Sequence, residues 1–257
     1  MESKDIKHTI IHFPVLDSTN NKAKEMAENG CDDGLIVVAD EQTSGRGRLG
    51  RSWISPKDSG IYMSIILRPC LTPSDAQKLT LIAALAVCSA IDNYVTLDAA
   101  IKWPNDILLA NKKVCGILTE VKTANDAIKY AIIGIGVNVN LPSSYVPLEL
   151  KDKITSLQIE LGRAIDKKGL FESIVKEFDK KYYDFVYYNK LQELLKEYRK
   201  KCISIGKKAI AFKGEDSREV MVRDIDSDGA LLVIDKNGHI ERIISGEVSI
   251  RGVEGYV

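Results

Sequence analysis

The sequence carries no excess charge of either sign: 36 Lys and Arg stand against 36 Asp and Glu in 257 residues. That excludes a protein that is basic overall, so a nucleic acid or an anionic membrane would have to be met by a local patch. Histidine is scarce, at His8, His12 and His239, and no His/Cys pair has the spacing of a structural zinc site. No metal site is expected. His8 and His12 would share one face of a strand, a spacing that asks for nothing beyond a structural role. The five cysteines, Cys31, Cys70, Cys88, Cys115 and Cys202, form no CxxC and are odd in number. A reduced, cytoplasmic setting is the simplest reading. Long apolar runs are missing too. The longest is Leu81–Cys88, far short of the about 20 residues a bilayer span needs, so it reads as a core helix. The first ten residues hold no apolar stretch and no small-residue cleavage site, so no export signal is expected. Internal repeats and low-complexity tracts are absent.

What is present is 45% hydrophobic and 28% charged, the composition of an ordinary folded chain. The length suits one large domain, or a large one with a small one. His8–Phe13 reads as a strand stopped by Pro14. Asp17–Asn20 offers N-caps for a helix that ends near Asn29-Gly30. Leu35–Ala39 and Ile61–Leu67 read as strands around a polar loop. Ser74 with Gln77 has capping-box spacing and opens a long apolar helix to about Asn93. Strands are expected at Ala99–Lys102, Ile107–Leu109, Val114–Val121 and Tyr130–Val139, then amphipathic helices at Gly169–Tyr188 and Lys190–Cys202. After Cys202 the pattern changes to short strands, at Lys207–Phe212, Glu219–Ile225, Ala230–Ile234, His239–Ile244 and Val248–Ile250, with Asn237-Gly238 as a hairpin signal. This suggests a small barrel. Strands and helices mix without strict βαβ alternation in the first part, so α+β is the expected class.

The loop Gly45–Ser52 (GRGRLGRS) matches two phosphate motifs on paper. Gly45, Gly47 and Gly50 fit GxGxxG, and Gly45 to Ser52 fits GxxxxGK[ST] with Arg51 in place of lysine. Both motifs need a helix to follow, because its N-terminus holds the phosphate. Here Pro56 and Gly60 preclude one. Rossmann and P-loop readings are therefore rejected. What remains is a segment of glycines and arginines with no acid among them, suited to gripping a phosphate or carboxylate. A solvated loop with surface ion pairs, or an RGG-like nucleic-acid segment, are the alternatives.

A second cluster, Lys102-Trp103-Pro104-Asn105-Asp106, places a cation, an aromatic, an amide and an acid in a turn between strands. Lys113-Val-Cys-Gly116-Ile-Leu118 then brings a cation into an apolar strand, where Gly116 suggests a close approach by a ligand or another backbone. In Gly134–Asn140 (GIGVNVN), Gly and Asn interrupt an apolar pattern again.

Taken together, Asp17–Asn20 (DSTN), Gln42, Gly45–Trp53 (GRGRLGRSW), KWPND at Lys102–Asp106, KVCGIL at Lys113–Leu118 and GIGVNVN resemble the biotin protein ligases, in that family's order and spacing, from Asp17 to Ser245–Gly252. The resemblance implies an α+β fold. A mixed β-sheet flanked by helices, of the class II synthetase and biotin ligase type, would occupy residues 1–203, and an SH3-like β-barrel residues 204–257. It implies a biotin–[acetyl-CoA-carboxylase] ligase that makes biotinyl-5′-AMP from biotin and ATP (Mg2+ with the ATP). The acyl group then passes to one lysine of a biotin carboxyl carrier protein domain. Biotin and ATP would be substrates, with no tightly bound prosthetic group. About seven residues precede the first strand, so the DNA-binding domain that some members carry is not expected, and neither nucleic acid nor membrane is an expected partner. A homodimer through the catalytic sheet is implied by the family.

The resemblance also implies residue roles. Ser18, Thr19, Asn20 and Gln42 would face the ureido ring with the backbone of Gly116 and Leu118, and Trp53 would supply apolar wall. Arg46, Gly47 and Arg48 would wrap the acyl-phosphate. Lys113 would meet the biotin carboxylate and the α-phosphate. Arg48, Arg51, Lys102, Asn105, Lys113, Asn138 and Arg251 would serve the nucleotide. Lys113, Arg48 and Asp106 are the catalytic candidates. Two alternatives stay open for Asp106, orienting or deprotonating the acceptor lysine or bracing the turn, and similarly for Lys102. The Gly-rich loop would order over the adenylate and keep water from the mixed anhydride. Competing readings are a lipoate- or octanoate-protein ligase on the related fold, and a non-catalytic nucleotide- or RNA-binding module.

Overall fold

The computed structural model describes residues 8–95, 97–213, 216–245 and 249–252. The larger part is a seven-stranded sheet in the order β1-β2-β3-β7-β6-β5-β4. Its strands are β1 (Ile10–Leu16), β2 (Ile36–Gln42), β3 (Gly60–Leu67), β4 (Ala100–Lys102), β5 (Asp106–Leu109), β6 (Lys112–Ala124) and β7 (Ala127–Asn138). Among the described residues β1 and β2 are the only neighbouring strands of this sheet that pair in parallel, so the sheet is mixed, as expected. Pro14 does not stop the first strand. β1 continues through it to Leu16 because β1 is the sheet edge, where a missing N–H breaks no inner ladder.

Among the described residues five helices accompany the sheet: α1 (Thr19–Glu28), α2 (Ala76–Val95), α3 (Leu157–Leu161), α4 (Lys167–Val186) and α5 (Leu191–Lys201). α2 is apolar and long enough to cross a bilayer by length and composition, but it lies buried against α4, α5 and β6. The expected capping box at Ser74 and Gln77 is displaced. Thr72 and Asp75 form it instead, around the turn Pro73–Asp75 that precedes α2. The short α3 had no periodic signal long enough to be read.

The sheet has two unlike faces. On β3, Ile61, Met63, Ile65 and Leu67 join the main core beneath α2 and α4, with Ile133, Ile135 and Val137 of β7. The opposite face carries Ile66, Tyr130 and Ile132, which pack under Ala23 and Ala27 of α1. Further along that second face the side chains shrink. Register places Ser64 opposite Gly134 and Gly134 opposite Leu118, and in the next row Tyr62 opposite Gly136 and Gly136 opposite Gly116. The helix covers the large residues, and the glycines begin near its first turn, which leaves a hollow on the sheet.

The C-terminal part is an antiparallel five-stranded sheet in the order β11-β10-β9-β8-β12, made of β8 (Lys208–Lys213), β9 (Asp216–Ile225), β10 (Leu231–Ile234), β11 (Ile240–Ile243) and β12 (Ser249–Gly252). It is SH3-like in kind. Among the described residues no ladder joins β11 to β12, so the expected barrel is an open sheet here. The expected hairpin joins β10 to β11, with Gly238 at φ +84° in its turn. Of the strand expected at Val248–Ile250 and the segment Ser245–Gly252, residues 246–248 lie outside the described residues. This sheet abuts the KWPND turn, where the buried Trp103 Nε1 donates to Gly229 O at 3.1 Å.

Candidate active site

The hollow is a cleft of about 430 Å³ lined by Ser18, Thr19, Asn20, Gln42, Arg46, Gly47, Arg48, Trp53, Asn105, Lys113, Gly116, Ile117, Leu118, Gly134, Ile135 and Gly136. The glycines of the floor are required by what lies on them. A Cβ on Gly136 would stand 2.5 Å from Trp53 Nε1, one on Gly116 3.0 Å from the Trp53 ring, and one on Gly134 2.0 Å from Asn20 Oδ1. The close approach expected at Gly116 is thus made by the Trp53 indole.

One wall is a directed chain of hydrogen bonds. Thr19 N–H donates to Gln42 Oε1 at 2.8 Å and Thr19 Oγ1 donates to the same atom at 3.2 Å. Gln42 Nε2 donates to Ser55 Oγ at 2.8 Å, which donates to Trp53 O at 3.2 Å. With its proton drawn to Gln42, the Thr19 hydroxyl meets the cleft as an acceptor. Ser64, wholly buried on β3, reaches both Thr19 Oγ1 at 2.8 Å and Asn20 Oδ1 at 2.7 Å. Ser18 is the N-cap residue of α1, yet its side chain makes no capping bond, which leaves that buried hydroxyl to the cleft.

The Gly–Arg loop arches over the cleft. Gly47 N–H donates to Arg51 O at 2.7 Å and Trp53 N–H to Gly45 O at 2.8 Å, so its base is a narrow antiparallel pair. Leu49 (φ 55°) and Gly50 (φ +72°) turn the tip. Two arginines tie it down. Arg48 Nη1 donates to Asn105 Oδ1 at 2.7 Å. Arg46 donates in a fork to Glu120, at 3.1 and 3.0 Å, and to Asn21 Oδ1 at 2.9 Å. Burial pulls the Arg48 pKa below its ordinary value, against the field of Asp106. Its guanidinium is therefore a cation held in a poorly hydrated place, ready for an anion.

Opposite the loop, Lys113 Nζ lies 2.7 Å from Asp106 Oδ1 and 5.2 Å from the Trp53 ring centre. Asn105 Nδ2 donates to Ile117 O at 2.9 Å and to Asp106 Oδ1 at 3.1 Å. Trp53 Nε1 is buried with no hydrogen-bond partner, the one such side-chain nitrogen or oxygen among the described residues. A native site rarely leaves such a donor empty.

Of the expected site residues, Ser18, Thr19, Asn20, Gln42, Arg46, Gly47, Arg48, Trp53, Asn105, Lys113, Gly116 and Leu118 meet in this one cleft. Five do not line it. Asp106, at the start of β5, meets it through its ion pair with Lys113. Arg51 borders a wider, open depression on the outer side of the loop. Lys102 sits on β4, opposite Asp106 in register. Asn138 is buried at the end of β7 and its Nδ2 donates to Thr155 O at 3.0 Å. Arg251 pairs with Ile210 through the β12 backbone, and its side chain lies outside the described residues. Sequence reading missed Ser64, Ser55 and Glu120. The one available signal was a lone serine inside the apolar run Gly60–Leu67. Among the described residues no three His, Cys, Asp or Glu side chains gather as a metal site.

Comparison with known proteins gives a consistent picture. Residues 12–138 match the profile of the biotin/lipoate A/B protein ligase family, and residues 208–251 that of the biotin protein ligase C-terminal domain. The chain is 39% identical over 242 residues to the bifunctional ligase/repressor BirA of Bacillus subtilis, covering 94% of this chain and 74% of that protein. It is 31% identical over 238 residues to the biotin–[acetyl-CoA-carboxylase] ligase of Mycobacterium tuberculosis, covering 90% and 85%. Among solved structures, the biotin protein ligase of Aquifex aeolicus in complex with biotin and ATP superposes with a TM-score of 0.81 at 30% identity, over 95% of this chain and 99% of that one.

Proposed function

The chain belongs to the biotin protein ligase family, and on that premise we propose how its cleft carries the family's reaction. The protein is an ATP-dependent ligase that activates biotin as biotinyl-5′-AMP and transfers it to a carrier protein of a biotin-dependent carboxylase. Biotin and ATP are its substrates. Nothing favours a lipoate or octanoate ligase, or a non-catalytic module.

The observation that carries the assignment of residues is the join of a glycine-floored, polar-walled hollow to a cationic rim. A cyclic urea is flat, uncharged and offers both N–H donors and a carbonyl. Thr19 Oγ1 would accept a urea N–H. The Ser18 hydroxyl, Asn20 and Gln42 would complete the ring's partners with the backbone of Gly116 and Leu118. Trp53 would cover the ring's apolar side. The acyl chain would then point to Lys113, Arg46 and Arg48.

In the first step a biotin carboxylate oxygen attacks the α-phosphorus of ATP, and the bond to the β-phosphate oxygen breaks to release pyrophosphate. Two anions must approach each other. Lys113, with Arg48, would offset that repulsion and stabilise charge on the pentacoordinate phosphorus. In the second step a lysine ε-amine attacks the acyl carbon, the bond to the phosphate oxygen breaks, AMP leaves and the amine loses a proton. Asp106 would brace Lys113 in the resting site, consistent with their 2.7 Å pair. Arg51 and Asn105 would meet the nucleotide, together with Lys102, Asn138 and Arg251 from outside the cleft. Mg2+ would arrive on the ATP phosphates as part of that substrate.

The catalytic unit would end at residue 203, between α5 and β8. We assign the protein to the reduced cytoplasm, in keeping with its free cysteines. A homodimer would form through the catalytic sheet, whose edge strand β1 exposes Ile10 and Val15. Biotin-dependent exchange of labelled pyrophosphate into ATP tests the first step. Exchange with biotin but not with lipoate or octanoate is expected, and exchange with the fatty acids alone would overturn the reading.

A further inference from the structure

One charged residue beside the cleft has no task in the reaction above. Glu120 follows Gly116 and Leu118 on the same face of β6. Its Oε1 accepts from Arg46 Nη2 at 3.0 Å, while its Oε2 accepts from Arg46 Nη1 at 3.1 Å and from Asn20 Nδ2 at 2.8 Å. Arg46 belongs to the loop above the cleft, and Asn20 to the buried first turn of α1 at its floor.

We propose that Glu120 is a positioning residue that fastens the Gly–Arg loop to the pocket floor, so that retention of the acyl-adenylate depends on its carboxylate. The proposal rests on reading Arg46 as part of the clamp. The geometry allows few substitutes. A guanidinium fork takes both carboxylate oxygens, and the Asn20 amide needs one of them as well. A neutral amide at this position could keep its oxygen where Oε2 stands, accepting from Arg46 Nη1 and Asn20, but would then turn its NH2 donor toward Arg46 Nη2 and lose both the fork and the charge.

Gly134 completes the device. Its missing Cβ leaves room for Asn20 to lie against the sheet, where a Cβ would stand 2.0 Å from Oδ1. Asn20 then points its nitrogen at Glu120 and its oxygen at the Ser64 hydroxyl, 2.7 Å away. The Glu120 tie and the Arg48–Asn105 tie hold the loop to different strands, β6 and the turn before β5. Without Glu120 the loop keeps one of these two fastenings. An isolated half-exposed ion pair contributes little, but a bidentate one shared with a buried amide contributes more.

The test uses the full chain and three variants, Glu120→Gln, Arg46→Met and the pair together. Each is loaded with biotin and ATP, and release of biotinyl-5′-AMP is followed after a chase with excess unlabelled biotin. Release from Glu120→Gln should be faster by about three- to tenfold, and the pair should release no faster than Arg46→Met alone, because the two residues act as one unit. Glu120→Asp, one methylene shorter with its charge kept, should fall between parent and Glu120→Gln. Thermal midpoints confirm that each variant is folded. Parental release from Glu120→Gln, or a double variant whose effect is the product of the two single effects, would overturn the proposal while leaving the clamp intact. Parental release from Arg46→Met would overturn the clamp reading itself, and the proposal with it.

Discussion

Lys113 Nζ and Asp106 Oδ1 stand 2.7 Å apart, an ion pair reaching from β6 to the start of β5 with both side chains mostly covered. The pair joins the KWPND turn to the strand that floors the cleft, and it gives Asp106 a partner before any acceptor lysine arrives. Lys113→Ala should slow adenylate formation by about two to three orders of magnitude, the size of effect seen when one group stabilising transition-state charge is removed. Asp106→Asn should also slow that first step, though less. Single-turnover measurement of the two half-reactions separates the roles. A defect of Asp106→Asn confined to transfer would instead mark Asp106 as the base for the acceptor amine.

Trp53 and Gly136 give a steric test of the floor. A Cβ at residue 136 would meet Trp53 Nε1 at 2.5 Å, so the indole must move. Gly136→Ala should raise the KM for biotin by about tenfold or more while costing about 1–3 kcal/mol in stability, the usual range for overpacking. Steady-state kinetics with urea denaturation checks both. Unchanged KM would show that Trp53 does not shape the biotin pocket.

Arg48 ties the loop to Asn105 and is a cation in a poorly hydrated place. Arg48→Gly should let the adenylate escape and label lysines indiscriminately. Western analysis of bystander proteins with an avidin probe reads this directly. Retention equal to the parent would contradict the clamp. Limited proteolysis offers a companion measurement: cleavage within Gly45–Arg51 should fall when biotin and ATP are present.

His8 supplies a pH dependence away from the site. Its Nδ1 donates to Gly34 O at 2.6 Å and its Nε2 to Asp179 at 2.8 and 3.0 Å. Both partners are acceptors, so both ring nitrogens carry protons. Burial pulls its pKa down, but the bonds to Asp179 and Gly34 outweigh this and raise it above 6.5. The tie between the segment just before β1 and α4 is thus fully present below about pH 6.5 and weakens as pH rises through the raised value. Asp179→Asn should cost about 1 kcal/mol at pH 6 and clearly less at pH 9. Equal losses by urea denaturation at both pH values would contradict the charged pair.

Much of this was readable in the chain, and the unread part has physical causes. Strands with nearly continuous apolar runs, such as Gly60–Leu67, and the long helix Ala76–Val95 stand out because extensive burial leaves few polar residues to blur them. The loop arginines and Lys113 stand out because clustered cations beside glycine need a reason. Pro14 misled because an edge strand cannot be told from an inner one before the sheet order is known. Ser64 and Glu120 escaped because their importance lies in contacts about 44 and 74 residues distant in sequence, to Asn20 and Arg46. Strand alternation places such residues on a face, but only the register says what faces them.

Intact mass of a biotin carboxyl carrier domain after incubation with the protein, biotin and ATP tests the central claim most directly. The account predicts a gain of one biotinyl group on one lysine, dependent on ATP and lost in Lys113→Ala. A carrier of unchanged mass, beside a control ligase that modifies the same domain, would contradict it.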